Sequence, residues 1–118
     1  MAKHDFGIMG QFDENMIYSV YEPEKYNCIS VDMQIMDYVM DNYRTEWKKM
    51  KTFLSASSKT FCGLDESGIT IIPSESLNLF RNIIIDANSH IKSIQLINLI
   101  SKIDEAIREG KYIIHFGI

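Results

Sequence analysis

The chain is poor in the residues that announce a chemistry. Its 118 residues include two cysteines, Cys28 and Cys62, far apart and in no Cys-x-x-Cys pair. A disulfide scaffold needs a much higher cysteine density, so two reduced, buried thiols are expected. Its three histidines, His4, His90 and His115, are isolated from one another, whereas structural zinc takes Cys and His ligands in close-spaced pairs. No His-Glu-x-x-His and no calcium loop occurs. Ser58-Lys59-Thr60 has the lysine and threonine of a phosphate-binding loop but no glycines before them, and Gly-x-Gly-x-x-Gly is absent. Nucleotide hydrolysis by those folds is thereby excluded. Gly-x-Ser-x-Gly is missing too. Ser89-x-x-Lys92 matches the short serine–lysine element of penicillin-recognising enzymes, but the companion Ser-Asp-Asn and Lys-Thr-Gly are lacking, and Ser89 reads as a helix cap. The expectation is a protein that is not an enzyme, with no metal and no cofactor.

Other absences bound the location. The start, Met1 to Phe6, has no apolar stretch of the kind a secretory signal requires. The longest aliphatic run, Ile83 to Ile85, falls far short of the ~20 residues that cross a bilayer. A soluble, cytoplasmic protein without membrane contact is expected. Two prolines, six glycines, no repeat and no low-complexity stretch leave no place for a linker, so residues 1–118 read as one domain.

Acids outnumber bases, sixteen to twelve, for a formal charge of -4. A general nucleic-acid binder neutralises phosphates with clustered Lys and Arg, so no nucleic-acid partner is expected. The charge is uneven: residues 1–43 carry eight acids and two bases, whereas residues 44–64 carry one acid and five bases. The basic cluster is Arg44, Lys48, Lys49, Lys51 and Lys59.

What is present is periodicity. Phe6, Ile8 and Phe12 recur on an even spacing and predict a strand over 5–12, with Gly7 and Gly10 marking a bulge or close backbone approach. A turn at Asp13–Asn15 and a returning strand over 16–21 would complete a hairpin. Tyr26 to Val31 reads as a strand. A helix from Ser30 or Asp32 to about Lys51 follows, with Met36, Met40, Tyr43, Trp47 and Met50 on one stripe. Its acids lie early and its bases late, as the helix dipole favours, so the basic cluster needs no ligand to explain it. Residues 55–68 read as a polar loop and Ile69–Ile72 as a strand. A second helix, capped by Ser74, runs to about Asp86. After a break at Ala87–Ser89, a third from about His90 to Glu109 buries Ile94, Ile97, Ile100, Ile103 and Ile107. Gly110 ends it, and Lys111–Phe116 is the last strand. The order β-β-β-α-β-α-α-β predicts an α+β domain, with about three helices on one face of a mixed or mainly antiparallel sheet.

Three groups of residues could carry function. Between Phe12 and Tyr26, the acids Asp13, Glu14, Glu22 and Glu24 are interleaved with Tyr18, Tyr21 and Tyr26. Tyrosines supply rigid contact area and acids complement a basic partner; the plainer alternative is an edge strand kept from aggregating by its charges. His4-Asp5-Phe6-Gly7-Ile8 is echoed by His115-Phe116-Gly117-Ile118, so His4, Asp5 and His115 would converge if the terminal strands were neighbours. Met36, Met40 and Trp47 could line a small-molecule pocket, although such a stripe is more often ordinary core.

Lys25–Asp32, Gly68–Leu77 and Gly110–Ile118 together cover 27 residues. They resemble segments of a group of short bacterial proteins, several of which look like immunity-type partners of polymorphic toxins. The resemblance implies a small intracellular binder and carries no functional residue across. The function expected is therefore a protein-binding module that occludes a basic partner through Asp13, Glu14, Tyr18, Tyr21, Glu22 and Glu24. The alternative is a small-molecule-binding regulatory domain. Homodimerisation through an edge strand is equally compatible with the sequence.

Overall fold

The computed structural model describes residues 2–10, 21–54 and 60–117. Along the chain run β1 (Lys3–Met9), β2 (Ile29–Asp32), α1 (Met33–Asn42), α2 (Arg44–Lys49), β3 (Lys51–Leu54), β4 (Thr60–Cys62), β5 (Ile69–Ile72), α3 (Leu77–Ile91), α4 (Ile94–Glu109) and β6 (Tyr112–Phe116). The strands form one sheet in the order β2-β1-β6-β5-β3-β4, antiparallel at every junction. The first and last strands of the chain are thus neighbours near its middle.

Successive strand side chains point to opposite faces, and both faces of this sheet are apolar. Phe6, Val31, Ile72 and Ile113 join residues from all four α-helices in the larger core cluster. Met9, Ile71, Ile114 and Phe116 form a second cluster on the other face, with Tyr26 and Cys28 packed against it. The helices therefore occupy one side, as an α+β architecture requires, while Tyr26 and Cys28, at the described end of the β1–β2 connection, pack against the other. Gly7 makes that close packing possible. A Cβ there would stand 2.6 Å from Tyr26 Cβ and 2.7 Å from both Cys28 Sγ and the Tyr26 carbonyl oxygen.

Several expected elements are placed differently. The strand expected over 5–12 is Lys3–Met9, and the strand expected from Tyr26 begins at Ile29, after a 3-10 turn over Pro23–Tyr26. The return strand over 16–20, like Phe12, lies outside the described residues. The long helix to Lys51 is two helices broken at Tyr43 (φ -127°, ψ 33°). The break turns Trp47 inward: its indole N–H donates to the Val39 carbonyl at 3.1 Å, and its ring lies 6.0 Å from Phe80. Two short strands, β3 and β4, replace the end of that helix and part of the polar loop. Neither Ser89 nor Ser74 caps a helix: α3 runs through to Ile91, and Ser74 Oγ contacts the Gly110 and Lys111 carbonyls. Ser93 caps α4, accepting from the Gln95 N–H. The thiols are not both buried, since Cys28 is half-buried and Cys62 exposed.

The buried face of α4 is also rotated from the expected one. Leu96, Leu99, Ile103 and Ala106 are buried, whereas Ile94 and Ile97 are 67% and 50% exposed. Gln95 explains the setting. It accepts from the Asp32 N–H at 2.7 Å and donates to the Asp32 carboxylate at 3.1 Å, which turns the first helical residues toward β2. Ile103→Ala should therefore destabilise the protein by about 2–5 kcal/mol and Ile97→Ala by under about 0.5 kcal/mol, read as urea midpoints. Equal losses at the two positions would contradict the rotated face.

Candidate functional site

β1 carries two polar side chains in succession, and strand alternation sends them to opposite faces. Asp5 points away from the helices and is 1% exposed. Its carboxylate accepts from the Tyr21 hydroxyl and from Ser30 Oγ, each at 2.5 Å, and Lys3 Nζ lies 3.8 Å away. Ser30 stands opposite Asp5 in the β1–β2 register. Hydrogen bonds to an ionised group contribute about 1.5–3 kcal/mol each, which offsets the cost of burying a carboxylate.

Tyr21 is held at its other end as well. Its ring meets Phe116 edge-on, with centroids 5.4 Å apart. Phe116 is the register partner of Asp5 across the β1–β6 ladder, so one rung supplies both contacts. The residue remains 56% exposed. The bond to Asp5 resists loss of the phenol proton, because a phenolate beside the carboxylate would repel it, and Tyr21 is pushed up to about 12. An exposed aromatic side chain is thus held at its hydroxyl and at its ring.

Two acids of this segment, Glu22 and Glu24, are among the described residues. Glu22 pairs with Lys25 at 3.8 Å. Glu24 is exposed, in the 3-10 turn over Pro23–Tyr26, and has no ion-pair partner among the described residues. Asn27 ends the turn in the left-handed region (φ 51°), and Tyr26 packs 6.1 Å from Phe116. Asp13, Glu14 and Tyr18 lie outside the described residues. The sequence points to Tyr21, Glu22 and Glu24 but not to Asp5, Ser30 and Phe116, which support Tyr21. The pairing of β1 with β2 brings Ser30 to Asp5, and that of β1 with β6 brings Phe116.

On the helix side of the same strands, His4 and His115 do meet, and Asp5 does not join them. His4 Nδ1 lies 2.7 Å from His115 Nε2, the rings stack with centroids 5.0 Å apart, and neither ring is exposed. The spacing is that of a shared N–H···N hydrogen bond. His4 Nε2 and His115 Nδ1 have no partner among the described residues. Among the described residues, no three of His, Cys, Asp and Glu converge there to hold a metal, and no carboxylate is hydrogen-bonded to either imidazole. The arrangement holds a proton between two bases. Burial pushes both rings below 6.5, His115 well below because His4 adds to the effect; Asp37 on α1, Glu66 before β5 and Asp5 oppose it at His4.

A surface cavity of about 350 Å³ opens beside α1 and α2. Met40 and Trp47 line it with Arg44, Lys48 and Cys62, whereas Met36 lies in the core. Cys28 is a poor nucleophile, its thiol pushed up to about 12 by burial and by Asp5. No helix among the described residues is long and apolar enough to cross a membrane. No family model, curated protein or solved structure matches the chain.

The histidine pair sets a pH dependence. Its folded-state values lie below 6.5, the value for a free imidazole, so the unfolded chain binds protons more readily. Stability is then full above that pH and falls as pH drops below it, by up to about 1.4 kcal/mol per pH unit for each histidine. Urea unfolding at pH 8, 7, 6 and 5.5 checks this. A constant unfolding free energy across that range would contradict it.

Proposed function

We propose that this chain is a protein-binding module that occludes a basic partner through the surface around Tyr21, in the manner of an immunity protein. The observation that carries this reading is the fixing of an exposed tyrosine by a buried carboxylate. Interface hot spots are enriched in tyrosine, and association is hindered by the entropy of ordering side chains. The Asp5–Tyr21–Phe116 arrangement removes much of that ordering in the free protein. Glu22 and Glu24, beside Tyr21 in the chain, supply charge that would steer a basic surface toward it and then face its cations. If the partner were a nuclease, these acids would lie where its phosphate substrate binds, and the block would be steric and electrostatic together. The acidic balance of residues 1–43 and the resemblance to immunity-type proteins support the same reading.

The test begins with affinity capture of the tagged protein from its native cells at low and high salt, with identification by mass spectrometry. A stoichiometric basic partner, loosened by salt, is expected. Tyr21→Ala should then weaken its affinity by about 2 kcal/mol, roughly thirtyfold, mainly through faster dissociation. Glu22→Lys with Glu24→Lys should slow association and reduce its salt dependence. Unchanged affinity in both variants would place the interface elsewhere.

A second reading rests on the cavity beside Trp47. Its lining sets the cations Arg44 and Lys48 beside the acids Asp41 and Glu66 around Met40 and Trp47, which suits a small ligand with both polar and apolar parts. A ligand should change Trp47 fluorescence on titration, and silence across a panel of small metabolites would count against this reading.

A further inference from the structure

The two sites sit at the same end of the β1–β6 ladder. The β1–β6 register ends at Asp5 opposite Phe116, the two residues that hold Tyr21. On the opposite face stand His4, one residue beyond that pair, and His115, one pair inside it opposite Phe6, tied by their 2.7 Å contact. Before Asp5, β1 pairs only with β2, through Lys3↔Asp32 and His4↔Val31. The imidazole contact therefore links β1 to β6 one residue beyond the last backbone pair. Past the rung, Gly117 turns instead to Gly68, its N–H donating to that carbonyl at 2.7 Å.

We propose that the His4–His115 pair is a proton-operated latch on the Tyr21 surface: protonation opens the end of the β1–β6 ladder, and Asp5 and Phe116 release Tyr21. A charge placed on either ring is buried, with ring nitrogens that have no acceptor among the described residues. Burial resists that charge on both rings. The charged groups acting on His4 are Asp37 from α1, Glu66 from the turn before β5, and Asp5 from its own strand; His115 is acted on by His4. The three carboxylates attract a proton to His4, yet no acceptor among the described residues takes a hydrogen bond from His4 Nε2 or His115 Nδ1. The strain is relieved at the nearest ladder end, since His4 lies beyond the last β1–β6 pair and His115 one pair inside it, opposite Phe6. That last pair is Asp5 with Phe116, the one under Tyr21. The consequence for partner binding rests on the reading of this surface given above; the latch itself is read on the free protein.

Hydrogen exchange of the full chain between pH 8 and 5.5, corrected for intrinsic rates, tests it at the Lys25, Asn27 and Cys28 amides, which donate to Glu22, Glu24 and Pro23 carbonyls. These amides should lose about tenfold in protection on acidification while those of Ile83 and Leu99 keep theirs. In a His4→Phe, His115→Phe double variant the loss should vanish. Persistence of the step in that variant would overturn the latch. So would simultaneous loss in the segment and the core. Should the double variant fail to fold, the wild type decides. Ring nitrogen shifts of His4 or His115 and ring carbon shifts of Tyr21 should share one midpoint, and separate midpoints would overturn the proposal. If the latch opens as described while partner affinity stays constant with pH, the latch stands and the Tyr21 interface fails.

Discussion

The pairing of β1 with β6 places the first and last strands of the chain side by side near the middle of the sheet, and much of the molecule is arranged around that junction. It brings Asp5 opposite Phe116 and His4 within reach of His115, a contact between residues 111 positions apart in sequence. Helices then cover one face, and Tyr21, Tyr26 and Cys28 pack on the other. Such long-range pairing costs loop-closure entropy before any contact forms. It is held by a core that is apolar on both sides of the sheet, so neither face tolerates a slip in register.

A sheet buried on both faces has little room for polar side chains, and those at this junction are accommodated in two ways. The carboxylate of Asp5 receives two hydroxyl donors and lies near a lysine, so its charge is fully supported. The imidazoles of His4 and His115 satisfy one nitrogen each and leave the others without partners. The first arrangement is rigid and the second is conditional on the rings remaining neutral. Their placement on opposite faces at one end of the β1–β6 ladder makes a fixed surface and a titratable interior part of the same local structure.

Much of this was legible in the sequence because local chemistry and burial agree. The α+β class, β5, β6, and the end of α4 at Gly110 follow from periodicity and a left-handed glycine. The echo between His4–Ile8 and His115–Ile118 left the strand order open and made a meeting of the histidines conditional on neighbouring terminal strands, a condition that the β1–β6 pairing meets. The same alternation separates His4 from Asp5, since adjacent strand residues face opposite ways, so a three-residue site there was never available. What was not legible depends on contacts distant in sequence. The break at Tyr43 is set by Trp47 packing toward Phe80, and the rotation of α4 by Gln95 binding Asp32. β3 and β4 are too short to show a period. Of the acidic, tyrosine-containing segment, the sequence shows the exposed half, whereas its support comes from β1, β2 and β6.

The account turns on Tyr21 being held by Asp5 in the free protein. A spectroscopic alkaline titration, with Tyr21→Phe used to assign its signal, measures that bond directly. The phenol of Tyr21 should titrate at about 12, above the range of an exposed tyrosine. Titration near the ordinary value of 10.0 would mean that the hydroxyl is free, and the prearranged surface would not exist.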